Sequence, residues 1–464
     1  MPGKINRTMI VNKAGIGRRH FLKSSAATAA ALLSGNFGMA TPKRRLPNII
    51  LIVADNLGWR DLGCYGNPYI KSHNLDKLAS EGVRFTNAFV TAPSCSPSRA
   101  SIISGQSPHS VGVLGLSHLY PRFQMPPDVP TLPGILRDAG YRTAIDGKWH
   151  VAPYKLTSRY GYNRHLNHFN IKNTNRAGRF ISENKDRPFY LELNFMQNHR
   201  PSMPGGNHAY RQHPDFPVAP DSIHVPIYWG IPDWPEIRAD VAAYYSQTVW
   251  MDYLIGEILA RLEAEGLKDN TMVVFVSDNG PMYPGGIGTC YDFGIGTPLV
   301  IRWPAGVRGG MVVDGLVSTI DILPTCMEAV GLSIPSTAQG RSLIPPARGE
   351  VSEIHEAIYA EMTYHVRYTP MRVIRTREYK YIENLSSDPV GLDMFKNFEW
   401  ARRVAEMPGQ RCCVPRPPEE LYNIAQDPNE KNNLAENARY AKIKEKLRKK
   451  LLKWRKETGD SLPL

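Results

Sequence analysis

The chain has 464 residues, of which 42% are hydrophobic and 21% charged, with a formal net charge of +13. Such a length supports more than one sizeable core, and the composition excludes a disordered, fibrous or disulfide-scaffold protein. Beyond the amino terminus no stretch reaches the roughly 18 uninterrupted apolar residues of a membrane span, so no stable membrane insertion is expected after processing.

The first forty residues read as an address. Lys4, Arg7, Lys13, Arg18, Arg19 and Lys23 have no acid among them, so a chain cut near residue 40 keeps a net charge of +7. Arg18-Arg19-His20-Phe21-Leu22-Lys23 precedes an apolar run from Ala26 to Leu33, and Gly38-Met39-Ala40 follows. A charged region, a short apolar region and a small-residue cleavage site, in that order, make a secretory signal. The paired arginines followed by x-Phe-Leu-Lys resemble a twin-arginine signal, which implies a periplasmic or secreted protein exported already folded. The remaining positive surplus suits an anionic substrate as well as a merely soluble basic surface. No nucleic-acid partner is expected.

After the signal, Asn48-Ile49-Ile50-Leu51-Ile52-Val53-Ala54 is a continuous apolar run rich in β-branched residues. Such a run predicts a strand buried on both faces, the usual parallel-sheet case. Similar runs recur at Phe189–Phe195, Met272–Val276 and Pro298–Trp303. Between them, Leu254, Ile258 and Leu262, widened by Ile255 and Leu259, mark the apolar stripe of a helix. Strands alternating with helices predict an α/β layered fold, with a large mostly parallel sheet flanked by helices over residues 46–345. Two strands run directly into polar pairs, Asp55-Asn56 and Asp278-Asn279. In open α/β sheets ligands gather at the carboxyl ends of strands.

Past about residue 345 the pattern changes. Short strands at Ala357–Met362, Met371–Thr376 and Tyr379–Asn384 predict an antiparallel meander. A helix over about Tyr440–Lys456 places Ile443, Leu447, Leu451 and Trp454 on one face and lysines elsewhere. Residues 346–464 are therefore expected to form a smaller α+β domain with an antiparallel sheet. Six cysteines, Cys64, Cys95, Cys290, Cys326, Cys412 and Cys413, are few for a disulfide framework. Five of them read as structural or incidental; Cys95 is the exception.

Cys95-Ser96-Pro97-Ser98-Arg99 is followed by Ala100-Ser101-Ile102-Ile103-Ser104-Gly105. Pro97 suits the first turn of a helix, and Arg99 then lies one turn beyond Cys95 on the same face. A positive helix end beside a guanidinium is a place to hold an anion.

Cys-x-Pro-x-Arg with a Gly six residues after the Arg resembles the sulfatase signature. Further segments fall in that family's order: Gly147-Lys148-Trp149-His150, Asn198-His199-Arg200-Pro201, Val317–Thr325 and Glu420-Leu421-Tyr422-Asn423. Pro370-Met371-Arg372 and the ending Lys453-Trp454-Arg455-Lys456-Glu457-Thr458 are similar to the heparan N-sulfatase branch, which removes sulfate from the amino group of glucosamine. The resemblance implies an alkaline-phosphatase-like fold. It also implies a formylglycine derived from Cys95 by a formylglycine-generating enzyme or equivalent maturase, one Ca²⁺, and a sulfated sugar or polysaccharide as substrate. Asp55, Asn56, Asp278, Asn279 and the modified Cys95 are the implied metal ligands. A hydrated formylglycine would attack sulfur while Arg99 and Lys148 neutralise the sulfate oxygens. His199 would protonate the leaving group, and His150 would assist sulfate release. Glu361, His365 and Arg372 are the expected sugar contacts, freed if their strand frays into a loop. Two positions depart from the family: Asn56 stands where a second Asp is usual, and Ile287 where Lys or Arg is usual. They leave open a protein that binds sulfated glycans without turnover, just as the shared fold leaves open a phosphate or phosphonate ester hydrolase.

Overall fold

The computed structural model describes residues 46–201, 209–390, 395, 397–407 and 414–462. The predicted signal, Cys412 and Cys413 lie outside the described residues. Leu46–Leu464 makes one compact unit built on two sheets.

The apolar runs supply four strands of the larger sheet, and four others join them. In chain order they are β1 (Asn48–Ala54), β2 (Val83–Phe89), β3 (Arg142–Gly147), β4 (Arg164–Asn167), β5 (Phe189–Phe195), β6 (Thr271–Ser277), β7 (Leu299–Arg302) and β8 (Met311–Ser318). Their spatial order is β4-β3-β5-β1-β6-β7-β2-β8. Neighbours run parallel except β7, which is antiparallel to both β6 and β2. The run expected at Pro298–Trp303 is thus a strand, but one of reversed direction. A buried strand needs apolar side chains on both faces whichever way it runs, so the residues carry no sign of direction.

Strand β1 shows why the run is apolar throughout. Ile50, Ile52 and Ala54 enter the core on one face of the sheet, and Ile49, Leu51 and Val53 the core on the other. Each fully buried aliphatic side chain contributes roughly 1.5–3 kcal/mol relative to exposure. The first core is completed by the long helix Pro235–Ala264, whose Leu254, Ile255, Ile258 and Leu262 are buried.

The smaller sheet has the order β12-β11-β10-β9, with β9 (Ala357–Tyr364), β10 (Tyr368–Thr376), β11 (Tyr379–Asn384) and β12 (Glu419–Asn423). All its pairs are antiparallel. On one face Ile358, Ala360, Met362 and Val373 share a core with Phe89 and Val90 at the end of β2. On the other, Ile374, Tyr381 and Leu421 pack under Leu447 and Leu451 of the C-terminal helix Ala441–Thr458. No helix among the described residues is long and apolar enough to cross a membrane. Cys64, Cys95, Cys290 and Cys326 are free thiols.

Candidate active site

The adjacent strands β1 and β6 deliver Asp55-Asn56 and Asp278-Asn279 to one end of the larger sheet, with Ala54 beside Ser277 in the register. All four polar residues are fully buried. Asn56 adopts a left-handed backbone with φ of 65°, which Asn tolerates better than most residues. There its backbone N–H donates to Asp278 Oδ1 at 3.1 Å.

Cys95 is the first residue of a helix, Cys95–Ser104, that is buried along its whole length. The helix stops at Gly105, whose φ of 68° explains the glycine in the motif. Cys95 Sγ lies 3.6 Å from Asp55 Oδ1 and 3.8 Å from Asn56 Oδ1. One turn on, Arg99 Nε donates to Asp278 Oδ2 at 2.9 Å and Nη2 approaches Asp55 Oδ2 at 3.5 Å. Its Nη1 donates to Asn194 Oδ1 at 2.7 Å.

Lys148 reaches Asp55 Oδ2 at 2.6 Å from the loop after β3. That loop needs Gly147, whose φ is 91° and where a Cβ would fall 2.1 Å from the Asn194 carbonyl oxygen. Trp149 fills the core beneath, against Tyr160 and Tyr162. His150 then takes φ of 62°, a costly conformation for a residue of its size and of the kind that collects at functional sites. Its Nε2 stands 2.5 Å from His118 Nδ1. His199 follows β5, and its Nδ1 donates to the Arg200 carbonyl at 2.7 Å, leaving Nε2 free of that bond.

Charge shapes every group here. Burial would raise the Asp55 carboxyl, but Lys148, then His199 and Arg99, hold it below the ordinary range. Asp278, pushed by burial and by the charge of Asp55, rises to about 6. Burial and the Lys148 cation lower His199 to about 4, and the same causes hold His150 well below normal. Burial would lower Lys148, yet Asp55 keeps it above its usual value.

The donor set suits a hard divalent cation. Asp55, Cys95 and Asp278 offer ligand atoms within 4.8 Å of one another. Asn279 Oδ1 is buried with no hydrogen-bond partner, an orphaned oxygen that a cation would satisfy. Arg99 and Lys148 already balance the two carboxylates, so a divalent ion would leave the pocket doubly positive, a sink for an anion.

The three expected sugar contacts divide. His365 lies just past the end of β9, with Nδ1 2.9 Å from Ser94 Oγ, the residue before Cys95. Burial first, then the nearby Lys148, His199 and His118, lowers it to about 3. Glu361 and Arg372 are engaged by other side chains. Strand β9 does not fray; it continues to Tyr364 and pairs Glu361 with Arg372 across the ladder. Both Glu361 oxygens are taken by His109, through its backbone N–H at 2.9 Å and through its ring Nδ1. Arg372 is held by Asp460 at 2.7 and 3.0 Å.

Ile287 packs with Leu116 against Cys95, giving that side chain an apolar wall. Residues that sequence reasoning passed over also stand here. Asn194 and Glu192 share one face of β5, with Asn194 Nδ2 donating to Glu192 at 2.8 Å. Two polar side chains alternating in an otherwise apolar, buried strand were the available signal. His118 had none: it sits in a loop and meets His150 only through the fold.

The sulfatase family model matches residues 47–332, and the model for the N-sulphoglucosamine sulphohydrolase C-terminal region matches 289–396. The chain is 31% identical to the human N-sulphoglucosamine sulphohydrolase, over 94% of each. It is 29% identical to an ulvan-active sulfatase of Formosa agariphila, covering 90% of this chain and 81% of that one. A structure solved with its substrate D-glucosamine-2-N,6-O-disulfate superposes with a TM-score of 0.65 at 21% identity, over 90% of this chain and 99% of that one, which establishes a shared fold.

Proposed function

The chain belongs to the sulfatase family, and from that membership we propose that it cleaves sulfate from the amino group of a terminal glucosamine in a sulfated glycan. It is a sulfuric ester hydrolase by family; the sugar and the linkage are the proposal. One observation carries it: Arg99 and Lys148 converge on Asp55 beside Cys95 at a buried helix start. Support for the sugar comes from the human relative and from the matching C-terminal family model.

Within this reading a maturase, with an external oxidant, would convert Cys95 to formylglycine before export, and position 95, once hydrated, would offer the attacking hydroxyl. Asp55, Asn56, Asp278 and Asn279 would hold Ca²⁺, whose charge would polarise the sulfate and acidify that hydroxyl. Arg99 and Lys148 offer donors to the sulfate oxygens as charge develops on them. Asn194 fixes the guanidinium plane so that the donors are aimed beforehand. His199 spends its Nδ1 proton on the Arg200 carbonyl, so its Nε2 is the atom facing the reaction. When an anionic substrate screens Lys148, that ring gains a proton and passes it to the departing nitrogen or oxygen. His150, kept neutral, accepts a proton when sulfate leaves. Ile287 makes the wall beside position 95 apolar rather than cationic, which suits a compact terminal sugar. The amino-terminal forty residues direct the folded enzyme to the periplasm or medium.

The test is sulfate release from defined sulfated mono- and disaccharides, N-sulfoglucosamine included, with matched phosphate esters in parallel. Turnover highest on N-sulfoglucosamine is expected. Preference for an O-sulfated sugar would overturn the linkage, and preference for the phosphate esters would overturn the sulfate chemistry itself.

A further inference from the structure

The C-terminal helix Ala441–Thr458 carries more cation than its packing uses. Leu447, Leu451 and Arg455 are its buried residues, and they fasten it to the smaller sheet. On the opposite side Lys442, Lys446, Lys449, Lys453 and Lys456 are all exposed. Their spacing of four, three, four and three residues keeps them in one stripe along the helix. At a rise of 1.5 Å per residue the row is about 21 Å long. Glu445 and Glu457 edge it, pairing with Lys449 at 3.5 Å and Lys453 at 3.7 Å. Both pairs are solvent-exposed and weak, so a stronger anion displaces them. Lys442, Lys446 and Lys456 make no ion pair among the described residues.

Beside the stripe lies a groove of about 650 Å³ walled by Tyr359, Trp454 and Arg341, with Lys450 paired to Glu356 at 2.7 Å and Lys453 to Glu457 at 3.7 Å on its rim. Tyr359 and Trp454 stack with ring centroids 4.9 Å apart and planes 4° from parallel, so this wall is rigid. Strand β9 links the groove to the reaction centre: Tyr359 stands at its start and His365 just beyond its end. Six residue steps separate them, about 20 Å.

We propose that this lysine row and its groove form a second binding site, which holds the body of a sulfated polysaccharide while a terminal residue occupies the Cys95 pocket. The assignment of a sulfated glycan rests on the function proposed above; the presence of a polyanion site rests on the helix alone. A linear array of ammonium groups on a fixed helix meets an extended, regularly charged polymer with little ordering cost on the protein side. A lipid surface fits less well, because the apolar face of the helix is committed to the core and none is left to insert. Single-stranded nucleic acid fits less well, because no unstacked aromatic ring interrupts the row and Trp454 is already stacked.

The test compares the full-length enzyme with a Lys446→Gln/Lys449→Gln/Lys453→Gln variant. Titrations use heparin, chemically desulfated heparin, phosphatidylserine vesicles and a single-stranded oligonucleotide across a salt series. Heparin is expected to bind the unmodified enzyme best. The variant should bind it on the order of tenfold more weakly, with a salt dependence shallower by about two charges. Turnover of N-sulfoglucosamine should be unchanged, because none of the three lysines is near the pocket. Equal heparin affinity in the variant, or equal binding of desulfated heparin, vesicles or oligonucleotide, would overturn the proposal. The two readings fail separately. A protein that binds heparin through these lysines but releases no sulfate refutes the activity alone, and one that turns over the sugar without lysine-dependent heparin binding refutes the second site alone.

Discussion

Replacing Arg372 by Ala separates a structural residue from a sugar contact. Its side chain is fully buried and donates to both oxygens of Asp460, to Thr363 Oγ1 at 3.1 Å, and to the Met362 and Met371 carbonyls at 3.1 and 2.9 Å. Asp460 also accepts from Arg455 Nε at 2.8 Å, so one carboxylate ties β10 to the end of the C-terminal helix. Burial opposes ionisation of Asp460, but Arg372 and then Arg455 bring its carboxyl from 3.8 down to about 2. That depression is worth about 2 kcal/mol to the folded state. Removing one partner of a buried pair costs about 3–5 kcal/mol, the excess over the first figure arising from the unpaired charge left inside. The assay is denaturant unfolding at neutral pH and at intervals down to pH 2. A depressed carboxyl stabilises above its unfolded value and loses that contribution as pH falls through its folded value. The unmodified protein should therefore lose stability between about pH 4 and pH 2. The Arg372→Ala variant should start lower and fall less steeply. An unchanged midpoint at neutral pH, with a loss confined to sugar turnover, would refute this reasoning and place Arg372 in the pocket.

Asn56→Asp should tighten calcium binding, since it adds a carboxylate where Oδ1 already faces Cys95 and Asn279. An unchanged titration would remove Asn56 from the ligand set. His365→Ala should lower kcat/KM for the natural sugar roughly tenfold or more, and less for a small aryl sulfate, because only the sugar reaches past Ser94. Equal losses would assign His365 to the shared chemistry. Gly147→Ala combines a left-handed φ of 91° with a carbonyl 2.1 Å from the new Cβ. It should destabilise the fold by more than about 1 kcal/mol and misplace Lys148. Normal stability with normal turnover would show that the loop can relax.

The sequence carried strands β1, β5, β6 and β7, the meander of β9 to β11 and the cluster around Cys95 for the same reason: all are locally written. Strand β1 is apolar at every position because both sheet faces are covered, and its end is marked by Asp55-Asn56. The Cys95 helix announces itself through Pro97, Arg99 and the left-handed Gly105. What stayed hidden depends on distant partners. The reversal of β7 is fixed by its neighbours, not by its own residues. Strand β12 escaped because Glu419, Glu420 and Asn423 break the apolar pattern; Glu420 is instead buried against Tyr422 and Asn384. The partner of Arg372 could not be read locally, because Asp460 comes 88 residues later. His365 sits just past the strand end, where a side chain can leave the ladder, and so it meets Ser94 beside Cys95.

The central claim is that Cys95 becomes an aldehyde whose hydrate would supply the hydroxyl that attacks sulfur. Its most direct test is the mass of the proteolytic peptide spanning Cys95, measured on enzyme that is turning over a sulfated sugar. The expected result is a peptide lighter than the thiol form, by exchange of two hydrogens and sulfur for one oxygen. Its fraction should track specific activity across preparations, and Cys95→Ala should be folded and inactive. Active enzyme whose Cys95 peptide carries only the intact thiol would contradict the mechanism.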